Sequence, residues 1–582
     1  MKQRIAWLIV FVMAFGLLAG CSKGGEKTTE PVVGTGQAET GQAKTGQDKT
    51  GQDKTEQAKT GEDKTGQSAA GQDANQYLNV ILAAEPSVLD VARFISIYDR
   101  SVFYNILEPL VRLDNGQVSA AGAESWEISE DGLTYTFHLR ENYWSDGTRV
   151  TAKDYAEALK RQADPANAFT FASDYYSIKN FQAVNNGEKG VEDLGIETPD
   201  DSTLVLHLED VNVTLLTMDF FPCKEGEASQ YGDTLGTEAD KVSSCGPFVL
   251  TEWTHNSTLE FEKNEKYWNR DSVSLSRFTY HIIPDSNAQL ASLENGTLDY
   301  LNVSDMDYVE KFSAREDMST MMVSAGRTVM VVFNCEDPLF GNQKVRQAFA
   351  LALDREALAE VITSGTGTPA YGLVPSDCTV GQYNYRAQVE EPLLALKAEY
   401  DTPDKIKALF VEGLEEAGQG NDPAKVTVKF AWGATTAVAR TYAELYQQLW
   451  QTLLGCKVEL EFNDSATHMS NIGAGNYQMA SSSWGNDPEP NFILGRWATK
   501  IGGQSRWKNE EYVELVSRAV TTIDDKERLE CYQKAEELLL RDCAASPLYY
   551  TASRRFYYNY VGGFSDSTFD TMGMMKMYTK GR

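Results

Sequence analysis

The residues best placed to do chemistry are Trp484-Gly485-Asn486-Asp487-Pro488-Glu489-Pro490-Asn491. Two prolines and a glycine so close together exclude a regular helix or a central strand. A Trp opens the stretch, two carboxylates lie inside it, and Phe492-Ile493-Leu494 follows. A ring beside a fixed carboxylate can hold an organic ammonium group: the carboxylate pairs with the charge and the ring face adds cation–π attraction. The same residues would also serve as a surface turn whose Trp packs on the core. The stretch alone does not choose between the two.

Other reactive residue types offer little. The histidines (His138, His207, His255, His281 and His468) stand apart, with no HExxH and no recognisable triad spacing. His138 alternates with apolar residues and is expected on the solvent face of a strand. Gly365-Thr366-Gly367 lacks the third glycine and the Lys-Ser/Thr pair of a phosphate loop. The chain has 8 Cys but no CxxC and no paired Cys/His spacing, so neither a metal site nor a cofactor is expected. Cys223 and Cys245 flank a polar stretch, and in an exported protein they could pair. With no nucleophile elbow, metal motif or paired-carboxylate signature, no enzyme is expected.

The beginning of the chain indicates export. Lys2 and Arg4 precede an apolar run from Ile5 to Leu18 that is too short to span a bilayer comfortably, as in a secretory signal. Residues 1–20 read as that signal. Leu18-Ala19-Gly20-Cys21 resembles the bacterial lipobox, which implies lipidation of Cys21 and cleavage before it. From Thr35 a five-residue repeat of the type Thr-Gly-Gln-Ala/Asp-Lys follows. It has almost no apolar residues and cannot offset chain entropy by burial. Residues 21–76 are therefore expected to form a flexible tether with a reach on the order of 40 Å.

About 505 residues remain, enough for two or three domains with substantial cores. A net charge of −31 excludes nucleic acid or an anionic lipid surface as the main partner and favours cationic ligands at long range.

The elements follow from pattern. Asp131-Gly132 is a hairpin turn. After it Leu133, Tyr135, Phe137 and Leu139 alternate with polar residues. Thr151 and Asp154 form a capping pair for a helix reaching Arg161. Val329 to Phe333 reads as a buried strand and Lys344 to Arg355 as one helix. Val426–Phe430, Thr436–Leu454 and Val458–Phe462 read as strand, helix, strand, hence a parallel α/β unit. Ligands of such sheets bind beyond the strand C-termini, and Trp484 to Asn491 comes soon after.

Several segments in order resemble one family. They are Ala123-Glu124-Ser125-Trp126-Glu127-Ile128-Ser129 with the hairpin after it, Trp144-Ser145-Asp146-Gly147-Thr148, Gly246-Pro247-Phe248 with Lys263-Asn264 and Tyr267-Trp268, the helix from Val345 to Arg355, and Pro547-Leu548-Tyr549-Tyr550. Together they are similar to the extracellular solute-binding proteins of oligopeptide and dipeptide ABC transporters.

The resemblance implies a two-lobed α/β fold of the periplasmic-binding-protein type II, with an extra subdomain in the first lobe. The division it suggests is 77–112, 113–235 (extra subdomain) and 236–325 for lobe I, 326–544 for lobe II, and 545–582 as a return to lobe I. Hinge crossings are expected near Ser324-Ala325-Gly326-Arg327 and near Ala544-Ala545-Ser546.

It also implies site residues. The family's Trp-x-x-Asp motif is matched by Trp484 and Asp487, so Asp487 would pair with the α-ammonium group of a bound peptide. Trp484 and Gly485 would wall the pocket. The loop Ser96-Ile97-Tyr98 would offer backbone to an extended peptide, and Phe171 an aromatic lid. Some oligopeptide binders carry an Arg three residues before the Trp; Ser481 stands there. The implied partners are a peptide ligand, permease subunits with cytoplasmic ATPases, and a membrane reached through the lipid anchor, the protein itself being monomeric. The same fold could instead bind a non-peptide solute or a signalling peptide.

Overall fold

The computed structural model describes residues 73–485, 487–499, 502–565 and 567–582. The signal, Cys21 and the repeats lie outside the described residues. The folded body starts earlier than the expected tether end at Gln76. The Asp73 carboxylate accepts from the backbone of Gly581 and Arg582. The buried Gln76 amide pairs with both backbone groups of Thr579, at 2.7 Å each. A charged or amide side chain held this way cannot belong to a free linker.

The body is a two-lobed α/β structure with one apolar core per lobe. The first lobe is built on a four-stranded sheet in the order Tyr77–Leu82, Arg277–Ile282, Thr258–Lys263, Phe248–Thr254. A second four-stranded sheet, Ala123–Ile128, Thr134–Leu139, Thr203–His207, Ile196–Asp200, carries the extra subdomain. Its hairpin turns at Gly132 with φ of +70°, a conformation glycine adopts without strain. Tyr135, Phe137 and Leu139 are buried, as the alternation requires. Thr151 and Asp154 cap helix Ala152–Ala163, with Thr151 N–H donating to Asp154 Oδ2 at 2.7 Å. The division at 112/113 cuts the strand Val111–Asp114, which pairs with Gln117–Ala120.

The largest sheet joins the lobes. Two long antiparallel strands, Met318–Phe333 and Ala545–Tyr558, pair along most of their length. Met318, Phe556 and Tyr558 belong to the first core, whereas Val331, Val332, Ala545 and Leu548 belong to the second. Their register breaks between Ser324 and Arg327, opposite Ala552 and Thr551. On the first strand the passage from one core to the other spans this break. The second crossing is near Thr551 and Ala552 rather than Ala544–Ser546, because Ala545 to Tyr549 still pack into the second core.

The expected strand–helix–strand unit is Thr427–Trp432, Ala437–Leu454, Lys457–Phe462, with the two strands parallel. The strand Met479–Gly485 lies between Thr427–Trp432 and the first crossing strand. The single helix expected over Lys344–Arg355 is two, Gln343–Leu351 and Arg355–Ile362. Asp354 causes the break by accepting from Ala357 N–H as a new N-cap. Arg355 is buried, and its guanidinium donates to the carbonyls of Ala350, Ala370 and Pro547 and to Ser546 Oγ. It ties the crossing strand to the second core.

Among the described residues every Cys is a free thiol, so Cys223 and Cys245 do not pair.

The strand Met479–Gly485 closely approaches the first crossing strand at Gly485. A Cβ there would lie 2.0 Å from Gly326 O and 2.4 Å from Arg327 Cα, both backbone atoms. Gly485→Ala should destabilise the protein by about 1–3 kcal/mol, the usual cost of overpacking. Gly473→Ala, with nothing within 4 Å of the added carbon, should be neutral or stabilising. Urea midpoints of the two variants check this; an unperturbed Gly485→Ala would mean that the strands are free to separate.

Candidate functional site

Side chains alternate along Met479–Gly485, so Ser481, Ser483 and Gly485 share one face and Ser482 and Trp484 the other. On the second face Ser482 Oγ and Trp484 Nε1 both donate to Gln504 Oε1 at 3.0 Å. The guanidinium of Arg496 sits 3.3 Å from the Trp484 ring centroid and 4.6 Å from that of Phe492. This corrects one expectation. A cation does lie on the Trp484 face, but the chain supplies it, so that face is closed to a ligand ammonium. Arg496 has no carboxylate partner among the described residues, and burial lowers its pKa.

The strand ends at Gly485 and the chain turns. Glu489 N–H donates to Asp487 Oδ1 at 2.9 Å, closing the turn on itself. Two groups of a neighbouring segment hold the loop from outside: Cys378 Sγ donates to Asp487 O at 3.5 Å and Thr379 N–H to Pro488 O at 2.7 Å. Asp487 is half-buried and has no ion-pair partner among the described residues. Burial raises its pKa, and the charge of Asp174, from the extra subdomain of the other lobe, raises it further. The carboxylate thus feels a like charge from the opposite lobe, with no cation among the described residues to balance it.

Glu489, only 3% exposed, is paired with Arg528, whose guanidinium also reaches Asp525 at 3.1 Å. Glu489 Oε2 has no hydrogen-bond partner among the described residues. Burial pushes the Glu489 carboxyl up to about 7 in spite of Arg528. Glu489, Asp525 and Arg528 line a cavity of about 350 Å³ whose other wall is Trp126, Tyr135 and Leu216 of the extra subdomain.

The first lobe presents its own wall. Ile97 and Tyr98 are not in an extended loop: they open helix Ile97–Ile106. Ser96 caps that helix, and the buried Asp99 gathers the N–H groups of Ser87, Ile95 and Ser96. The expected strand-like pairing with a peptide does not fit a helical first turn. What this turn offers is an apolar edge, with Ile97 70% exposed. Phe171 is half-buried, 5.3 Å from the Phe94 ring and 5.5 Å from the Arg100 guanidinium, which is paired with Asp219. It stands three residues before Asp174.

No sequence signal marked Cys378, Thr379, Arg528 or Asp174, because each acts through tertiary contact only.

The chain matches the family model described as bacterial extracellular solute-binding proteins, family 5, over residues 117–505. It belongs to that family. The oligopeptide-binding protein OppA of Bacillus subtilis is 27% identical over 484 residues, covering 81% of this chain and 87% of that one. The dipeptide-binding protein DppE of the same organism is 28% identical over 454 residues, covering 77% and 81%. A probable deoxycholate-binding periplasmic protein of Escherichia coli, YgiS, is 28% identical over 499 residues, covering 83% and 89%.

Among solved structures, the unliganded open form of the murein tripeptide-binding protein MppA has a TM-score of 0.79 at 23% identity, covering 89% of this chain and 99% of that one. Listeria monocytogenes OppA bound to peptide has a TM-score of 0.60 at 28% identity, covering 87% and 99%. The relatives are binding proteins, and no helix among the described residues is long and apolar enough to cross a membrane.

Glu489 gives a pH test. Its folded-state pKa lies above the unfolded one, so the folded protein holds the proton more tightly between the ordinary value of 4.5 and about 7. Stability from this group is therefore lost as pH rises through that window. The wild type should lose up to about 3 kcal/mol relative to Glu489→Gln between pH 5 and pH 8. Urea midpoints at several pH values measure it; a constant gap between the two proteins would show that the carboxyl titrates normally.

Proposed function

We propose that this protein is a membrane-anchored, extracytoplasmic receptor that binds oligopeptides between its lobes and delivers them to the permease of an ABC transporter. The observation that carries the reading is Asp487: a half-buried carboxylate that feels the charge of Asp174 of the other lobe and has no cation to pair with among the described residues. An ammonium group placed there gains a charge-assisted hydrogen bond and relieves the repulsion between the two carboxylates. The α-ammonium of a peptide has the right charge and size, and Gly485, Ile97, Tyr98 and Phe171 would bound the space around its first residues. Trp484 contributes indirectly, by fixing Arg496 beside the loop.

Relatives named for oligopeptides and dipeptides agree with this reading. YgiS, named for deoxycholate, raises a non-peptide alternative, but a bile-acid anion would meet two carboxylates here. Cys21, carrying two or more acyl chains, would anchor the receptor stably where one chain is marginal. The tether would let the body reach the transporter from a fixed point on the membrane.

Calorimetry with trialanine and N-acetyl-trialanine tests the reading. Acetylation, or Asp487→Asn, should weaken binding roughly 10- to 100-fold, the value of hydrogen bonds to a charged group. Affinity should also fall as the solution is acidified through the raised pKa of Asp487 in the free protein, because the bound ammonium favours the ionised form. Equal affinity for the free and acetylated peptides would rule the reading out.

A further inference from the structure

The cavity of about 350 Å³ beside Glu489 lies within the usual range of small-molecule sites, roughly 300–1,000 Å³. Of the described residues assigned above to the peptide, neither Asp487 nor Trp484, Gly485, Ile97, Tyr98 or Phe171 lines it. Its walls come from two sides of the molecule. Trp126, Ile128 and Tyr135 belong to neighbouring strands of the extra subdomain. Asp525 and Arg528 stand on the first turn of helix Asp525–Arg541 in the second lobe, and Ile523 just before it. The two sides touch: a Cβ on Gly132, in the hairpin turn, would lie 3.1 Å from Ile523 Cγ2. We propose that this cavity is a second ligand site, separate from the peptide site, for a small organic ammonium ion with an apolar body.

Charge and hydrogen bonding at its polar end select the ammonium. One guanidinium serves two carboxylates: Arg528 donates through Nη2 to Glu489 Oε1, and through Nη1 to Asp525 Oδ1 at 3.1 Å. With both carboxylates ionised the group keeps one negative charge in excess. Glu489 is buried, and its Oε2 has no hydrogen-bond partner among the described residues. A buried acceptor left open carries a desolvation cost that an N–H donor removes. An ammonium supplies both the donor and the charge. A neutral hydroxyl supplies only the donor, and an anion would meet two carboxylates.

The other groups around Glu489 leave this charge unbalanced. Asp487, in its own loop, and Asp525 both act on it as like charges. Tyr532, one turn beyond Arg528, interacts with Glu489 but does not line the cavity. Tyr135, on the other wall, feels the charge of Arg528.

The rest of the wall suits an apolar body. Trp126 brings an indole, the best ring for attracting a cation. Ile128 and Ile523 are exposed large apolar side chains, and a ligand that covered them would remove apolar surface from water. Leu216 adds to the same wall.

Calorimetry on the whole protein with 2-phenylethylamine, 2-phenylethanol and 3-phenylpropanoate, with and without saturating trialanine, is the test. The three probes share a ring and a two-carbon arm and differ in charge at its end. The amine should bind one per protein and roughly 10- to 100-fold more tightly than the alcohol, and the acid should not bind. In Glu489→Gln the amine-to-alcohol ratio should approach one. Trp126→Ala, on the other wall, should weaken amine and alcohol together, with thermal melts confirming that both variants fold. Amine affinity should rise about tenfold from pH 6 to pH 8, because Glu489 in the free protein holds its proton up to about 7 and the ammonium needs it ionised.

A wild-type amine-to-alcohol ratio near one overturns the proposal, and this comparison needs no variant. A ratio unchanged in Glu489→Gln overturns it as well, as does an amine affinity that is flat from pH 6 to pH 8. Displacement of the amine by trialanine would place it in the peptide site and have the same effect. Trialanine titrated alone reports on the peptide reading separately, so either site can fail while the other stands.

Discussion

The pairing of Met318–Phe333 with Ala545–Tyr558 is the constraint on which the rest depends. Each strand begins in one core and ends in the other, so neither lobe can be completed without it. The register of this ladder shifts twice, between Val329 and Met330 and, nearer the lobe boundary, between Ser324 and Arg327. An interrupted ladder bends more readily than a continuous one. The same point is where Gly326 and Gly485 meet, and Gly326 adopts φ of +55° with Phe569 and Thr568 packed over it. Any change in the angle between the lobes must be absorbed by these residues, and they adjoin Arg327 on one side and the Asp487 loop on the other. The register break and the Asp487 loop are thus neighbours in the same sheet.

Charge is distributed with the opposite logic to that of the cores. Buried charges in the cores are satisfied: Arg355 by carbonyls, Glu536 by Arg386 and by the N–H groups of Leu373 and Val374. Along the central strand and its loop they are not. Among the described residues Asp487 has no ion-pair partner, Glu489 Oε2 has no hydrogen-bond partner, and Arg496 lies between rings without a carboxylate. Each leaves desolvation cost without full compensation. These three groups lie within ten residues of one another.

Much of the fold was legible in the sequence because it follows from local pattern. Tyr135, Phe137 and Leu139 alternate into the core, Thr151 and Asp154 cap as expected, and the strand–helix–strand unit before Trp484 stands within two residues of its expected ends. What was not legible came from contacts between distant segments. The periodicity over Lys344–Arg355 is continuous, yet Asp354 takes the N-cap of a second helix. Ser96-Ile97-Tyr98 reads as loop, yet the carboxylate of Asp99 folds it into a first turn. The face of Trp484 looks free in sequence, since nothing in Arg496, twelve residues on, announces that it will cover the ring. Asp487 was identifiable by resemblance, but its electrostatic isolation depends on Asp174, more than three hundred residues away.

The overall negative charge and the local sites act at different ranges. A net charge of −31 is felt only within a Debye length of roughly 8 Å at physiological salt, so it biases encounter rather than the bound state. Within the cleft the relevant quantities are individual groups at a few ångströms in a region partly shielded from water, where charges interact several-fold more strongly. A zwitterionic ligand has little net charge for the global field to steer. It can be recognised only by separated ends, a carboxylate for its ammonium and a cation for its carboxylate, held at a distance matching its length.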